Sequence, residues 1–462
     1  MAEDDKISEL KSELSKRDEE IASLQDALAK SQEFIVNIHQ SLPLKLFRDY
    51  DSSVGRLIPL RPKKGISTSK GKLMGKNTTK IKEFLKNEKV TRVDILYFSH
   101  INWDYRYQRP QQILSQFAKQ GHRIFYMEPI LEKLTSHYEL ERIHENIYRV
   151  EISASRYFEI YKDKIDLATL QFLKESFSQL KNDLNLDPLC MVSFPTWTPL
   201  ILELKKQFGC NIIYDCVDNI TGFPNISKER EKEEILLIKN SDLIITSAKS
   251  LYEKIHKTTK KVCFVPNGAD FEHFNKSRSD DPLKGFREPI VGYFGAIAEW
   301  FDTDLIEFLV KARPDVTFVF IGDTYGSNLK RVLNLENTYF LGERPYSEIP
   351  KYLQRFDVCI IPFKLTPLTL DTHPIKIYEY FAAGKPIVTT KLPEILPMKD
   401  LCYVANDKKD FLEKLDRAFK ENDKERVQKR IKFSSTNTWK DRFDTLVLEI
   451  NKISSIRLQS HN

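Results

Sequence analysis

The chain has 462 residues, of which 41% are hydrophobic and 30% are charged, and its formal net charge is +6. At roughly 100 to 200 residues per domain, this length predicts two or three structural units. The absence of any apolar run of about 18 residues argues against a membrane-spanning helix, and the acidic start MAEDDKISEL argues against a secretory signal. The six cysteines are scattered without a CxxC pair, which favours buried thiols in a reducing compartment over a zinc site.

The first 41 residues carry a heptad repeat. Isoleucine or leucine recurs at seven-residue intervals from Ile7 to Ile35, and the intervening d positions are apolar except for Arg17 and Ser31. The pattern predicts a coiled coil at 1–41 that makes the protein a homo-oligomer through residues 7–38. A single amphipathic helix lying on the protein's own body is the alternative.

Residues 42–90 are rich in Lys, Gly, Ser and Thr, and no regular hydrophobic period runs through them. We interpret them as a flexible basic linker. Such a segment could bind an anionic membrane surface, at about 1 kcal/mol per basic residue close to the lipid, with Leu44 and Phe47 as shallow anchors. A solvated tether is the alternative. Nucleic acid is not expected as a partner, because no recognition helix or aromatic-interleaved basic motif accompanies the charge.

From residue 93 onward, short apolar strands alternate with helical segments. The first series includes VDILYFS, RIFYM, LCMVS, NIIYDC, DLIITS and VCFVP, and the second includes IVGYFGAI, VTFVFIG, DVCIIPF and PIVTT. Near-continuous apolar strands separated by helices indicate parallel sheets covered on both faces. The sequence therefore predicts an α/β fold with two Rossmann-like, doubly wound domains, preceded by the helical coiled coil and followed by an amphipathic helix.

A short helix with polar groups at its start is the most informative stretch. Pro374 suits the first helical position, because its missing N–H would have had no intrahelical partner, and Gly384 suits the left-handed position after the helix. The unpaired N–H groups of the first turn, with Lys376 beside them, form a place for a phosphate. Asp371 in the preceding loop and Glu379 one turn into the helix could flank a ligand there and accept hydrogen bonds from sugar hydroxyls.

The spacing Asp371-x7-Glu379, followed by AAGKPIV, resembles the Glu-x7-Glu donor-site signature of glycosyltransferase family 4 and its relatives with the GT-B fold. Asp371 stands where the family pattern usually has glutamate. The resemblance implies that Asp371 contacts the donor sugar and that Glu379 contacts the ribose of the nucleotide. It also implies an acceptor domain at 91–280, a nucleotide-sugar domain at 288–436 and a final helix at 437–462 that packs back on the first domain. An ordinary amphipathic helix with solvated charges is the alternative.

A glycine-containing loop of the second domain, GYFGAIAEW, is a further donor-site candidate. Gly295 would let the backbone approach a pyrophosphate. Many relatives carry Arg or Lys in this region, whereas this chain has Glu299, Trp300 and Asp302. The phosphate is therefore expected to depend on the helix start and on Arg344 of FLGERPY. The predicted donor-binding residues are Gly295, Arg344, Pro374, Ile375, Lys376 and Glu379.

The first domain opens with the loop HINWDYRYQRPQQI, directly after a predicted strand, where ligands of open parallel sheets bind. The pattern W-x5-RPQ resembles the opening of family 4 enzymes that work on cell-surface polysaccharides. Trp103 could stack on an acceptor sugar and Arg109 could pair with a phosphate or acidic sugar, although an Arg at a helix start can also be simply exposed. Asp215 and Asp218 end another strand, and either could orient an acceptor hydroxyl, act as a base or cap a helix.

The resemblance implies transfer of a sugar from a nucleotide-sugar donor to a glycan or lipid-linked acceptor, with retention of configuration. No Asp-x-Asp motif stands at a suitable strand end, so we expect no metal and no cofactor beyond the nucleotide-sugar substrate. The predicted catalytic residues are Asp371, Glu379 and Asp218. We expect a cytoplasmic protein that is peripheral on the inner face of the membrane. A noncatalytic scaffold that binds nucleotide-sugars and acts through the coiled coil, and a GT-B sugar-nucleotide epimerase, are the alternatives.

Overall fold

The computed structural model describes residues 78–87 and 92–453, with gaps at residues 133, 135, 224, 225 and 325. The coiled coil predicted at 1–41 and most of the predicted linker lie outside the described residues.

The first half of the described chain forms ten strands and seven helices. The strands are β1 Asp94–Phe98, β2 Ile124–Met127, β3 Ile130–Leu131, β4 Tyr138–His144, β5 Ile147–Ile152, β6 Phe158–Glu159, β7 Pro188–Val192, β8 Ile212–Cys216, β9 Leu243–Thr246 and β10 Val262–Phe264. The helices are α1 Thr78–Asn87, α2 Arg109–Lys119, α3 Leu167–Leu184, α4 Thr198–Phe208, α5 Lys228–Asn240, α6 Lys249–His256 and α7 Phe271–Phe274.

Eight of these strands form one sheet in the order β10-β9-β8-β7-β1-β2-β5-β4. Neighbouring strands are parallel, for example β1 with β2 and with β7, except for the antiparallel pair β4 and β5. The chain runs outward in both directions from β1 and β7, so the point where the strand order reverses lies between them. Strands β3 and β6 form a small separate antiparallel pair.

The second half repeats the architecture with a six-stranded parallel sheet. Its strands are β11 Ile290–Phe294, β12 Thr317–Ile321, β13 Thr338–Phe340, β14 Val358–Ile361, β15 Ile387–Thr390 and β16 Tyr403–Ala405. Its helices are α8 Thr303–Ala312, α9 Ile349–Arg355, α10 Pro367–Leu370, α11 Lys376–Ala382, α12 Lys408–Phe419, α13 Lys424–Ser435 and α14 Trp439–Ile453. The strand order is β13-β12-β11-β14-β15-β16, with a second reversal between β11 and β14.

The apolar strands are buried on both faces, as their composition predicts. Every residue of β1, β8 and β11 is buried, because helices cover both sides of each parallel sheet. The prediction of an α/β fold with two doubly wound domains is confirmed. No helix in the described part of the chain is long and apolar enough to cross a membrane.

Helix α1 corrects the end of the predicted linker, which extended to residue 90. Ile81 and Leu85 lie one turn apart, and both belong to the hydrophobic core of the first domain. Lys82 forms an ion pair of 2.7 Å with Asp183 of α3. The ten residues of α1 pack on the first domain through one apolar face that is about two turns long. Their lysine content resembles that of the preceding segment, which is why the sequence placed them in the linker.

The last helix, α14, packs against the first domain. Phe443 lies edge-on to Phe117 of α2, with ring centroids 4.8 Å apart. Trp439, Phe443 and Leu446 join the same core as strands β1 and β2. The end of the chain thus ties the second domain back to the first.

Candidate active site

Helix α11 and the loop before it bring most of the predicted donor residues together. The helix begins at Lys376 rather than at the predicted Pro374, although Ile375 already has helical backbone angles of −58° and −37°. Gly384 follows the helix with φ of +69°, as predicted. Pro374 thus lies two residues before the first regular turn, where it shapes the entry to the helix.

Lys376 extends from this helix towards the end of β11. Its Nζ lies 5.3 Å from the ring centroid of Tyr293 and 5.7 Å from that of Phe363. It also passes so close to Gly295, which has φ of +123°, that a Cβ atom at Gly295 would overlap the lysine side chain. Burial lowers the pKa of Lys376, while the charge of Glu379 raises it. Gly295 is therefore needed both for its backbone angle and for the path of this side chain.

Glu379 is buried in the next turn of the same helix, with only 5% of its surface exposed. Burial raises the pKa of its carboxyl and the charge of Asp270 adds to the rise, whereas Lys376 and the neighbouring Tyr346 hydroxyl oppose it. That hydroxyl donates to Asp270 at 3.4 Å and accepts a hydrogen bond of 3.0 Å from Gln112 of α2. The surroundings of the carboxyl thus include groups from both domains.

Asp371 is held by the first domain. Its carboxylate accepts a hydrogen bond of 2.7 Å from Asn219 and forms an ion pair with Lys254 of α6. Only 5% of Asp371 is exposed. Its predicted contact with a donor sugar therefore requires the sugar to share or replace these partners, and that role stays a prediction.

Asp218 lies opposite the loop that carries Asp371. It is adjacent to Asn219, the hydrogen-bond partner of Asp371, and a hydrogen bond with Thr372 lowers its pKa. Burial has the larger effect and raises the pKa of Asp218 to about 6. A carboxyl that exchanges its proton near neutral pH suits acid–base chemistry at this position.

Arg344 lies at the edge of the predicted nucleotide pocket. Its Nε donates to the Tyr352 hydroxyl at 3.1 Å and its Nη1 to the Glu343 carbonyl at 3.2 Å. The Glu343 carboxylate accepts two hydrogen bonds of 3.0 Å from Arg106 of the first domain and one of 2.8 Å from the backbone of Asp323. A contact of Arg344 with phosphate stays a prediction.

Trp103 and Arg109, the predicted acceptor-binding residues, are buried instead. Trp103 is 5% exposed and lies edge-on to Tyr126, with centroids 5.1 Å apart. Arg109 is 1% exposed and forms an ion pair of 2.9 Å with Asp215. The loop after β1 folds these two side chains back into the core, where neither presents an open face to an acceptor, and both roles stay predictions. Asp215 is paired with Arg109, which leaves Asp218 as the acid with fewer charged partners.

A buried chain of hydrogen bonds that sequence reasoning missed links Arg109 to the donor loop. Its Nη1 donates to Asn267 Oδ1 at 3.2 Å, and Asn267 Nδ2 donates to the His373 carbonyl at 2.7 Å. Asn267 lies three residues after β10. Its side chain also holds the backbone from which α11 starts.

Two doubly wound domains that face each other define the GT-B fold. Asp371, Lys376 and Glu379 lie at the face of the second domain that contacts the first. Residues 288–421 match the family described as Glycosyl transferases group 1. The match covers most of the second domain.

Comparison with curated proteins adds a relative from Bacillus subtilis (strain 168), TuaH, which is provisionally named as a teichuronic acid biosynthesis glycosyltransferase. It is 32% identical over 207 residues, which are 41% of this chain and 52% of that protein. The chain thus spans about half the length of the curated relative that it matches.

Solved structures share the fold. Sucrose-phosphate synthase from Thermosynechococcus elongatus aligns with a TM-score of 0.61 and 14% identity, over 78% of this chain and 99% of that one. Anabaena HepE, solved with UDP and glucose, aligns with a TM-score of 0.59 and 14% identity, over 78% of this chain and 100% of that one. At these identities the likeness concerns the fold.

Proposed function

We propose that this chain transfers a sugar from a nucleotide-sugar to a hydroxyl of a glycan or lipid-linked acceptor of cell-surface polysaccharide assembly. The observation that carries the proposal is the position of two side chains on one helix, within the residues that match the glycosyltransferase family. Glu379 is buried there, and the partly buried Lys376 lies against Gly295. The name of the Bacillus relative, a teichuronic acid biosynthesis glycosyltransferase, supports the proposed acceptor class. The UDP and glucose bound by HepE support a nucleotide-sugar donor.

Each residue has a role in this proposal. Glu379 accepts hydrogen bonds from the ribose hydroxyls, and Lys376 neutralises the leaving diphosphate. Asp371 contacts the donor sugar from the loop before α11. Asp218 accepts the proton of the acceptor hydroxyl. We propose metal independence with these roles, since the charges needed to stabilise the leaving group are supplied by the protein. We also propose retention of configuration, as the family resemblance implies, which requires the acceptor oxygen to attack from the face that the diphosphate leaves.

We also propose an oligomeric state and a membrane association for the protein. Residues 7–38 would form a homo-oligomer, and residues 42–77 would hold the protein on the anionic inner face of a membrane. Both segments lie outside the described residues. Their charge and heptad pattern support these proposals.

Nucleotide release from a panel of UDP-, GDP- and other activated sugars, with and without lipid-linked acceptor extracts, tests the function. We expect one donor to be turned over by the wild type and at least about 100-fold more slowly by Lys376→Met, because the variant loses a charge-assisted bond in the transition state. Lys364→Met, which removes a lysine with an exposed hydrogen bond to the Glu299 carbonyl, is the matched control and should keep wild-type turnover. Binding of a donor without release under all conditions would favour the noncatalytic scaffold.

The pH profile tests the role of Asp218. A base must be deprotonated, and the pKa of Asp218 is about 6, so kcat/KM should fall as the pH drops through 6 and level off above about 7. Asp218→Asn should lower kcat by about 100-fold or more and remove this acidic limb. Asp187→Asn changes an exposed aspartate of the same domain and should leave the profile unchanged. An acidic limb that persists in Asp218→Asn would assign the proton to another group.

A further inference from the structure

Polar and aromatic groups that the donor site does not use lie at the point where the strand order of the first sheet reverses. His100 follows β1 and Ser193 follows β7, the two strands between which the order reverses. In open parallel sheets, ligands bind at this point beyond the carboxyl ends of the strands. Trp103 and Arg109 are buried elsewhere, so the acceptor needs other residues here.

The hydrogen bonds around Ser193 define the tautomer of His100. The Ser193 hydroxyl donates to the Phe98 carbonyl at 3.1 Å, which uses its one proton. His100 Nδ1, at 2.8 Å from the same hydroxyl, must therefore be the donor in that contact. Burial lowers the pKa of His100 to about 4, so the imidazole is neutral at physiological pH. Its Nε2 then carries a lone pair that can accept a hydrogen bond.

Tyr161 covers this histidine with a half-exposed ring. Its hydroxyl donates to the His100 carbonyl, and its ring packs on Phe194 with centroids 4.8 Å apart. The preceding carbonyl, of Ile160, accepts hydrogen bonds of 2.5 Å from Thr196 and 3.2 Å from Arg230. The backbone that presents the ring is therefore fixed, yet 54% of Tyr161 remains open to solvent.

Tyr105 is a second exposed aromatic residue, in the loop after β1 that also carries His100. Burial raises the pKa of Tyr161, and the charges of Asp218 and Tyr105 raise it further. Tyr105 is 49% exposed, with the Arg106 guanidinium 4.6 Å from its ring centroid. An exposed tyrosine ring thus lies beside His100, and the loop after β1 carries a second exposed ring.

We propose that Tyr161 is a stacking platform for a pyranose ring of the acceptor, and that His100 Nε2 accepts a hydrogen bond from one of its hydroxyls. A sugar ring held there presents a second hydroxyl to Asp218. The C–H groups of a pyranose face suit the negative face of a tyrosine ring, and its hydroxyls suit neutral acceptors. This inference rests on the proposed function, because it names the acceptor of that reaction.

Saturation-transfer NMR on the full chain tests the platform with a panel of methyl pyranosides as probes: glucoside, galactoside, N-acetylglucosaminide and glucuronide. We expect at least one to bind the wild type, and Tyr161→Ala to raise its Kd by about ten-fold, the equivalent of about 1.4 kcal/mol of stacking. Tyr157→Ala is the matched control, because Tyr157 is 53% exposed and its hydroxyl bonds only the neighbouring Glu159. It should bind as the wild type does.

Two further variants separate the ring from the histidine. Tyr161→Phe keeps the ring and should bind the probe within about three-fold of the wild type. His100→Leu should weaken binding, and His100→Gln, which can place an acceptor oxygen there, should restore part of it. Wild-type affinity in Tyr161→Ala, or no pyranoside bound by the wild type, would overturn the platform.

Nucleotide-sugar affinity, measured by calorimetry in the same variants, separates this inference from the proposed function. A wild type that binds methyl pyranosides through Tyr161 but binds and releases no nucleotide-sugar would leave the platform standing and refute the transfer reaction. A wild type that turns over a donor, with Tyr161→Ala unchanged towards every pyranoside and every acceptor extract, would refute the platform alone.

Discussion

Replacing Glu379 with alanine is expected to lower kcat/KM for the preferred nucleotide-sugar by about 100-fold to 10,000-fold. The carboxylate would accept hydrogen bonds from two ribose hydroxyls, each worth about 1.5–3 kcal/mol because the acceptor is charged. Each 1.4 kcal/mol is a factor of ten. Donor titration by calorimetry, together with nucleotide release, gives the loss in binding and in turnover separately.

A second substitution of the same residue, Glu379→Gln, should affect stability and donor binding differently. Burial raises the pKa of the Glu379 carboxyl, which means that the folded protein holds its charged form at a cost. Glu379→Gln keeps the shape and removes that cost, but it also removes the charge beside Lys376. The two effects oppose each other, so the unfolding temperature should stay close to that of the wild type while donor affinity falls by about ten-fold or more. Glu336→Ala changes an exposed glutamate of the same domain and should alter neither property. Wild-type donor affinity in Glu379→Gln would show that the ribose is held by another group.

The fold could be predicted because its signal is local. Alternating apolar strands and helices specify two parallel sheets without knowledge of any long-range contact. The same holds for α11, where the turn glycine Gly384 and the acid–lysine spacing lie within one short segment. Even there the helix starts two residues later than Pro374 suggested, since the chain between Asp371 and Lys376 is held by contacts with the first domain.

The acceptor side could not be predicted, because it depends on the direction of side chains. The sequence places Trp103 after a strand and at the sheet edge, but it does not say whether the loop turns the indole outward or back under the sheet. Tyr161 gives no motif at all. Its place beside His100 results from the packing of Phe194 and from two hydrogen bonds to the carbonyl of Ile160, which join parts of the chain far apart in sequence.

Interdomain contacts were missed for the same reason. Asp371 pairs with Lys254, which is 117 residues away, and Glu343 pairs with Arg106, which is 237 residues away. Each partner looks like an ordinary surface charge in the sequence. Such pairs join the two domains beside the proposed donor site, so they are the contacts that a bound donor would have to share or displace.

The largest expected loss of stability comes from Arg109→Met. Arg109 and Asp215 are each 1% exposed, and removing one partner of a buried pair leaves an uncompensated charge that costs about 3–5 kcal/mol. For a domain of this size, that corresponds to a fall of about 10 °C in Tm, measured by differential scanning calorimetry. Arg331→Met breaks an exposed pair with Asp304, at 70% and 79% side-chain exposure, and should shift Tm by less than about 2 °C.

A double variant distinguishes the effect of the lost ion pair on Tm from the effect of lost packing. Arg109→Met with Asp215→Leu replaces both charges by apolar groups, and it should recover much of the Tm, because no charge is left unpaired. It should not recover donor affinity, since Asn267 still lacks the Arg109 guanidinium that orients it towards the His373 carbonyl. Recovery of both properties would mean that the buried chain only stabilises the fold. Recovery of stability alone would establish that the first domain positions the start of α11 for the donor.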